Sequence, residues 1–97
     1  MALSAYSSQC LQSLLSEFPE FAPFVTQEGD SFIIELTSPS GLPFWISSEG
    51  GELMVGFAEH HRHFGSFICP DALEDARDVA QYVTELRDSK TYNHRLG

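Results

Sequence analysis

The residues that decide the fold run from Ser31 to Ala58, SFIIELTSPSGLPFWISSEGGELMVGFA. Apolar side chains recur at every second position in three short runs of this stretch, which is the pattern of strands that bury one face. Clusters of turn residues at 38–41 and 49–51 separate the runs, and turns this short join antiparallel neighbours. The stretch therefore predicts three strands of an antiparallel meander, over Ser31–Thr37, Leu42–Ser48 and Glu52–Ala58.

Further elements are predicted on both sides of this meander. Phe21–Gln27 is predicted to form a preceding strand, and Pro23 favours an edge position for it because proline has no N–H to donate. Ser4–Phe18 and Asp71–Arg87 carry apolar residues at helical spacing, and Asp71 with Glu74 resembles a capping box. Residues 89–97 show no apolar periodicity and are expected to fray.

The predicted fold class is α+β. It is a four-stranded antiparallel sheet flanked by an N-terminal and a C-terminal helix, in the order α-β-β-β-β-α. Residues 1–97 are expected to form a single domain with one modest core. Both helices are predicted on the apolar face of the sheet. The opposite face is then predicted to carry Ile33, Glu35, Trp45, Ser47, Glu52 and Met54.

Charge is distributed unevenly along the chain. Fourteen acidic residues against five lysines and arginines give a net charge of −9. Residues 1–61 contain eight of the acids and no lysine or arginine, whereas residues 62–97 contain six acids and all five bases. Such an anionic field repels nucleic acid and anionic lipid and attracts basic proteins. We therefore expect a basic protein partner, and neither a nucleic acid nor a membrane.

The composition, with 42% hydrophobic and 20% charged residues, is typical of a folded globular domain, and a cytoplasmic location is expected. No apolar run approaches the roughly 20 residues that cross a bilayer, and residues 1–6 lack the basic segment that begins a signal peptide. Cys10 and Cys69 fit no metal or redox spacing. They are expected to be buried free thiols in a reducing compartment, and a single disulfide between them stays open as an alternative.

The densest group of reactive side chains is Glu59-His60-His61-Arg62-His63. On an extended chain His61 and His63 point the same way, which suits a zinc or copper ion. A zinc site needs three or four ligands, so local hydrogen bonding at a strand end and contact with a partner are the other interpretations. No phosphate-binding loop, His-Glu-x-x-His motif or nucleophile elbow is present. We therefore expect no enzymatic activity and no cofactor.

Trp45 is the only tryptophan in the chain. The strand pattern predicts that Trp45 lies on the face opposite the core. One interpretation is that a helix or the C-terminal tail packs over it there. Tryptophan is enriched among the residues that contribute most to protein interfaces. A binding function for Trp45 is therefore the other interpretation.

The stretch Gly41–Phe67, GLPFWISSEGGELMVGFAEHHRHFGSF, resembles small bacterial immunity proteins, in which two strands lead into a Gly-Phe pair and then a His-x-His-Phe segment. Those positions here are Gly56-Phe57 and His61–Phe64. The neighbouring helix and the acidic balance are also similar to immunity proteins of contact-dependent growth inhibition systems. The resemblance covers about a quarter of the chain. It implies that the protein binds and neutralises a cognate toxin domain, such as a basic RNase, by occluding its active site.

On this interpretation the partner is expected to contact acidic side chains at turns and strand ends, because loops commonly carry binding residues. The acids of the second helix, such as Asp75 and Asp78, are expected to take less part. Two other functions stay open: a small metal-binding domain that uses the His60–His63 cluster, and a non-catalytic subunit of a larger assembly. The predicted partner-binding residues are Glu28, Asp30, Trp45, Glu49, Glu52, Glu59, His60, His61 and His63.

Overall fold

The computed structural model describes residues 2–65 and 70–94, so that Cys69 lies outside the described residues. Within these ranges five strands form one antiparallel sheet whose spatial order follows the chain. The strands are β1 (Val25–Glu28), β2 (Ser31–Thr37), β3 (Pro43–Glu49), β4 (Glu52–Phe57) and β5 (His60–Gly65). The helices are α1 (Ala5–Glu17), α2 (Ala72–Arg87), a short α3 (Lys90–Asn93) and a 3₁₀ helix (Pro19–Phe24). The α+β class, with an antiparallel sheet flanked by helices, is confirmed.

The sheet has five strands where the sequence pattern predicted four. The additional strand is β5, which pairs with β4 along its whole length, from Phe57 opposite His60 to Glu52 opposite Gly65. The side chains of β5 are exposed except that of Phe64. Because an edge strand of this kind buries almost nothing, it shows no alternation of apolar and polar residues.

The first predicted strand, Phe21–Gln27, is wrong over its first half. Residues up to Phe24 form the 3₁₀ helix, and the strand begins at Val25. Pro19 stands at the start of the 3₁₀ helix, where its fixed φ fits a helical turn. Phe21 is nevertheless buried in the core. The edge position predicted for this strand is confirmed, because β1 pairs only with β2.

Both helices α1 and α2 pack on one face of the sheet, as predicted. The hydroxyl oxygens of Ser7 in α1 and Ser48 in β3 are 2.7 Å apart. The Tyr82 ring of α2 lies 5.5 Å from the Phe64 ring of β5. We call this side the inner face. Its buried strand residues are Phe32, Ile34, Phe44, Ile46, Leu53, Val55, Phe57 and Phe64.

The helix ends follow from capping residues that the sequence contains. The Asp71 carboxylate accepts a hydrogen bond from the Glu74 N–H at 3.1 Å, as the capping pattern predicted. The Ser4 hydroxyl caps α1 in the same way, accepting from the Ser7 N–H. None of the described helices has both the length and the apolar character needed to cross a bilayer.

The C-terminal segment is partly ordered, contrary to the expectation that it frays from Ser89 onward. It forms α3, and Tyr92 is buried with its ring 5.8 Å from that of Phe44 and 5.5 Å from that of Phe57. The Tyr92 carbonyl also accepts from the Ser40 N–H. One aromatic residue without a periodic neighbour leaves no pattern in the sequence, although it is enough to dock a short helix.

Buried and half-buried polar contacts join α1 to α2 and to the sheet. The Tyr6 hydroxyl donates to the Asp75 carboxylate at 2.6 Å, and Asp75 is itself buried. The Ser48 hydroxyl, which meets that of Ser7, also accepts from the Phe32 N–H at 3.1 Å. Such groups stabilise a fold only while they are paired, because an unpaired buried polar group costs about 1–3 kcal/mol.

Cys10 is fully buried, as predicted, and is a free thiol. Burial raises the pKa of this thiol to about 12, with a further increase from the Asp75 charge and a partial decrease from the Tyr6 hydroxyl. Since the thiolate is the reactive form, we expect Cys10 in a Cys69→Ser variant to resist alkylation at pH 8 in the native state. Mass spectrometry should show modification only after unfolding in denaturant. Rapid native labelling would contradict the buried position.

Candidate functional site

The sheet has an outer face that none of the described helices covers. Every described helix packs on the inner face, including the 3₁₀ helix, whose Phe21 ring meets that of Phe44. Alternation along the strands places the other half of the side chains outside. By the register, the outer face consists of Thr26, Glu28, Ser31, Ile33, Glu35, Thr37, Pro43, Trp45, Ser47, Glu49, Glu52, Met54, Gly56, His61, His63 and Gly65. The residues that the sequence predicted opposite the core all lie on it.

Trp45 lies at the middle of the outer face, directly over Gly56 of the neighbouring strand. The two residues are Cα partners, and a Cβ atom added to Gly56 would lie only 2.0 Å from the Trp45 indole. The indole therefore lies against Gly56 of β4, in space that the side chain of any other residue at position 56 would occupy. Among the described residues, no helix and no residue of the C-terminal tail packs over Trp45. The interpretation in which one of them buries the indole is therefore not supported by these residues.

The pairing of Trp45 with Gly56 gives a prediction for stability. Gly56→Ala should destabilise the protein by about 1–3 kcal/mol, because the new methyl group must displace the indole. In a Trp45→Leu background the same change should cost little, since alanine is otherwise preferred to glycine in a strand by about 0.5–1 kcal/mol. Urea unfolding of the four proteins of this double-mutant cycle measures the difference. An equal cost in both backgrounds would contradict the packing.

Apolar side chains flank Trp45, and two histidines follow on the edge strand. Ile33 and Met54 are half-buried on the same face. The His61 and His63 rings lie 5.4 Å apart and edge to face. His63 Nδ1 lies 3.0 Å from the Glu52 carboxylate. The outer face thus has an apolar centre with a polar edge, the arrangement of many protein interfaces.

The outer face is anionic. It carries the carboxylates of Glu28, Glu35, Glu49 and Glu52, and none of its residues is a lysine or an arginine. Arg62, the only arginine of the sheet, belongs to the inner face, where its guanidinium lies 5.0 Å from the Phe64 ring and 5.3 Å from the Tyr82 ring. The cation nearest in sequence to the two histidines is therefore turned to the other side of the sheet.

The predicted partner-binding residues do not form one cluster, because they lie at both ends of the sheet and between them. Turns place Asp30 at one end, beside the strand-end glutamates Glu28, Glu49 and Glu52. Glu59 lies in the β4–β5 turn at the opposite end, where His60 begins β5. Trp45, His61 and His63 lie between the two ends.

His60 differs from the other histidines because it alternates onto the side of Phe57. With Leu42, Phe57 and Thr91 it lines a shallow groove of about 420 Å³ at the end of the sheet. The cluster His60–His63 is therefore split between the two faces. Among residues 2–65 and 70–94, no group of three histidine, cysteine or acidic side chains is placed to hold a metal ion.

Two residues beside Trp45, Gly56 and Glu35, were not among the predicted binding residues. Gly56 is required by the indole, but the sequence does not show that it lies opposite Trp45, because that depends on the register of β3 and β4. Glu35 was predicted on the outer face but not as a binding residue. It is the Cα partner of Trp45 on the neighbouring strand β2. The strand alternation was the signal that could have included it.

Comparisons of this chain with protein-family models, with curated proteins and with solved structures found no match.

Proposed function

We propose that this protein is an immunity protein, which binds a basic toxin domain through the outer face of its sheet and keeps the toxin from its substrate. The observation that carries the proposal is an uncovered sheet face with a tryptophan at its centre and carboxylates as its only charged groups apart from histidine. A cytoplasmic location and a nuclease toxin, such as an RNase, belong to the same proposal.

Electrostatics supports a basic partner. Nucleases hold phosphate in basic clefts, and a face with Glu35, Glu49 and Glu52 presents negative charge in the same way as the substrate. Complementary charge steers encounter and can raise association rates to about 10⁸ M⁻¹s⁻¹ or more at low salt. Fast association suits a protein that must stop a toxin before it acts.

The apolar centre supports a specific complex of appreciable lifetime. Interfaces combine a few buried aromatic anchors with a polar rim. Trp45, Ile33 and Met54 would supply the anchors, and the glutamates and histidines around them would supply the rim. The protein acts in this proposal by occupation of the toxin, with no catalytic step of its own and no cofactor.

Co-expression tests the proposal. We expect the gene immediately upstream to encode an exoprotein whose C-terminal domain arrests growth when produced alone, and we expect this protein to restore growth and to copurify with that domain in a one-to-one complex. The matched control replaces Trp45 by alanine at equal expression. Growth arrest that persists with the intact protein, or a self-associated species of this chain as its only complex, would overturn the proposal. The second result would favour the assembly-subunit alternative.

A further inference from the structure

We propose that the outer face takes an arginine side chain of its partner, whose guanidinium stacks on the Trp45 indole and pairs with the Glu35 carboxylate. This inference rests on the proposed function only in taking the partner to be a basic protein. It names the chemical group that the centre of the outer face recognises.

The first support is the indole of Trp45, which is half-buried on the outer face. The indole contacts Gly56 of the neighbouring strand, and Trp45 is only partly buried, so part of the ring remains accessible to a partner. Among the described residues, no aromatic ring or cationic group is stacked on Trp45, whereas Arg62 and Arg87 both stack on other rings of the chain. An indole is the aromatic group that attracts cations most strongly.

The second support is the carboxylate beside the indole. Glu35 is exposed and stands directly opposite Trp45 in the β2–β3 ladder. Directly opposed residues have their Cβ atoms about 4.5–5.5 Å apart. A cation over the indole therefore lies within reach of the Glu35 carboxylate, and no lysine or arginine of the outer face competes for it.

The chain itself contains the same arrangement in completed form on its other side. The Arg87 guanidinium lies 5.6 Å from the Phe18 ring and 5.5 Å from the Phe21 ring, while its Nη1 donates to the Glu20 carboxylate at 2.8 Å. Ring, carboxylate and guanidinium together form one compact contact there. The outer face supplies the ring and the carboxylate, and the partner is proposed to supply the guanidinium.

Arginine suits this pair better than lysine does. The guanidinium is planar, so that it stacks on an aromatic ring while the N–H groups at its edge donate to a carboxylate. An ammonium group is a compact and more strongly hydrated charge, and it cannot make both contacts in the same way. We therefore expect the site to prefer arginine over lysine at equal charge.

The experiment uses fluorescein-labelled poly-arginine and poly-lysine peptides of one length, with binding followed by anisotropy at low and at physiological ionic strength. Trp45→Leu should weaken the arginine peptide about 3- to 30-fold, as expected for loss of a cation–π contact. Trp45→Phe should keep part of the affinity. Phe24→Leu, which alters an exposed aromatic residue outside the outer face, is the matched control and should change nothing.

A second pair of variants tests the carboxylate. Glu35→Gln should weaken the arginine peptide about 2- to 5-fold, and Glu85→Gln, the same change on the exposed side of α2, should have no comparable effect. In the unmodified protein, the emission of Trp45 should change with the arginine peptide more than with the lysine peptide. This measurement needs no variant to fold.

Equal affinity for the two peptides, or a Trp45→Leu variant that binds like the unmodified protein, would overturn the inference. Either result leaves the proposed function standing if the toxin domain still binds through the outer face. Conversely, a chain that fails to bind any toxin domain but selects arginine through Trp45 would refute the function and retain the inference.

Discussion

Replacing Glu35, Glu49 and Glu52 together by lysine is expected to weaken the proposed complex with a basic toxin domain about 1,000-fold or more at low salt. The three changes raise the net charge of the outer face by six units, so that it repels a basic partner instead of attracting it. Close charge pairs across an interface contribute about 1.5 kcal/mol or more each, and three of them correspond to about a thousandfold in affinity. The loss should fall at high salt, because the rim charges are screened there.

The matched control reverses Glu74, Asp78 and Glu85 instead, which makes the same change in net charge on the exposed side of α2. Its effect should remain below about tenfold, since charges more than about 10 Å apart are largely screened at ordinary ionic strength. Asp75 is left unchanged because it is buried and bonded to Tyr6. Affinities measured at two salt concentrations compare the variants. A greater loss of affinity in the helix variant would show that the partner binds α2 and not the outer face.

Phe44→Ala is expected to lower the free energy of unfolding by about 3–5 kcal/mol, the range for truncating a buried aromatic residue. Phe44 is 1% exposed and its ring lies 6.0 Å from that of Phe21 and 5.8 Å from that of Tyr92. The change would therefore loosen the 3₁₀ helix and α3 at once. Against a total stability of about 5–15 kcal/mol for a small domain, the loss is large.

Phe24→Ala provides the control for this stability prediction. Phe24 lies in the same 3₁₀ helix as Phe21 but is 46% exposed, so its truncation should cost less than about 1 kcal/mol. Denaturant unfolding of both variants gives the two values. Similar losses for Phe44 and Phe24 would contradict the core described here.

The sequence predicted those parts of the fold that bury apolar surface. Alternation in Ser31–Ala58 reproduces β2, β3 and β4 within about a residue at each end, and the helical spacing does the same for α1 and α2. β5 was missed because its side chains are polar on both faces, apart from Phe64. The sequence predicts a strand where the 3₁₀ helix lies, because a short apolar segment with proline has no periodicity that distinguishes the two.

The sequence predicted which residues lie in the candidate site better than it predicted which of them contact one another. Alternation alone placed Trp45, Glu35 and Glu52 on the outer face, whereas Glu28 and Glu49 were assigned to turns. Their relation to Gly56 and His61 depends on the register of β3, β4 and β5, which long-range packing sets. The sequence does not predict the burial of Asp75 either, because a charged residue on an amphipathic helix is expected at the surface. In the structure the Tyr6 hydroxyl donates to its carboxylate.

We propose that the partner binds the outer face at Trp45. As the only tryptophan, Trp45 gives a single indole N–H signal in the two-dimensional ¹H–¹⁵N spectrum of the labelled protein. Adding the unlabelled toxin domain to saturation should shift or broaden that signal together with the backbone amides of Glu35 and Met54. The amides around Leu73, an exposed apolar residue of α2, should keep their positions. An unchanged indole signal with shifts confined to α2 would contradict the account.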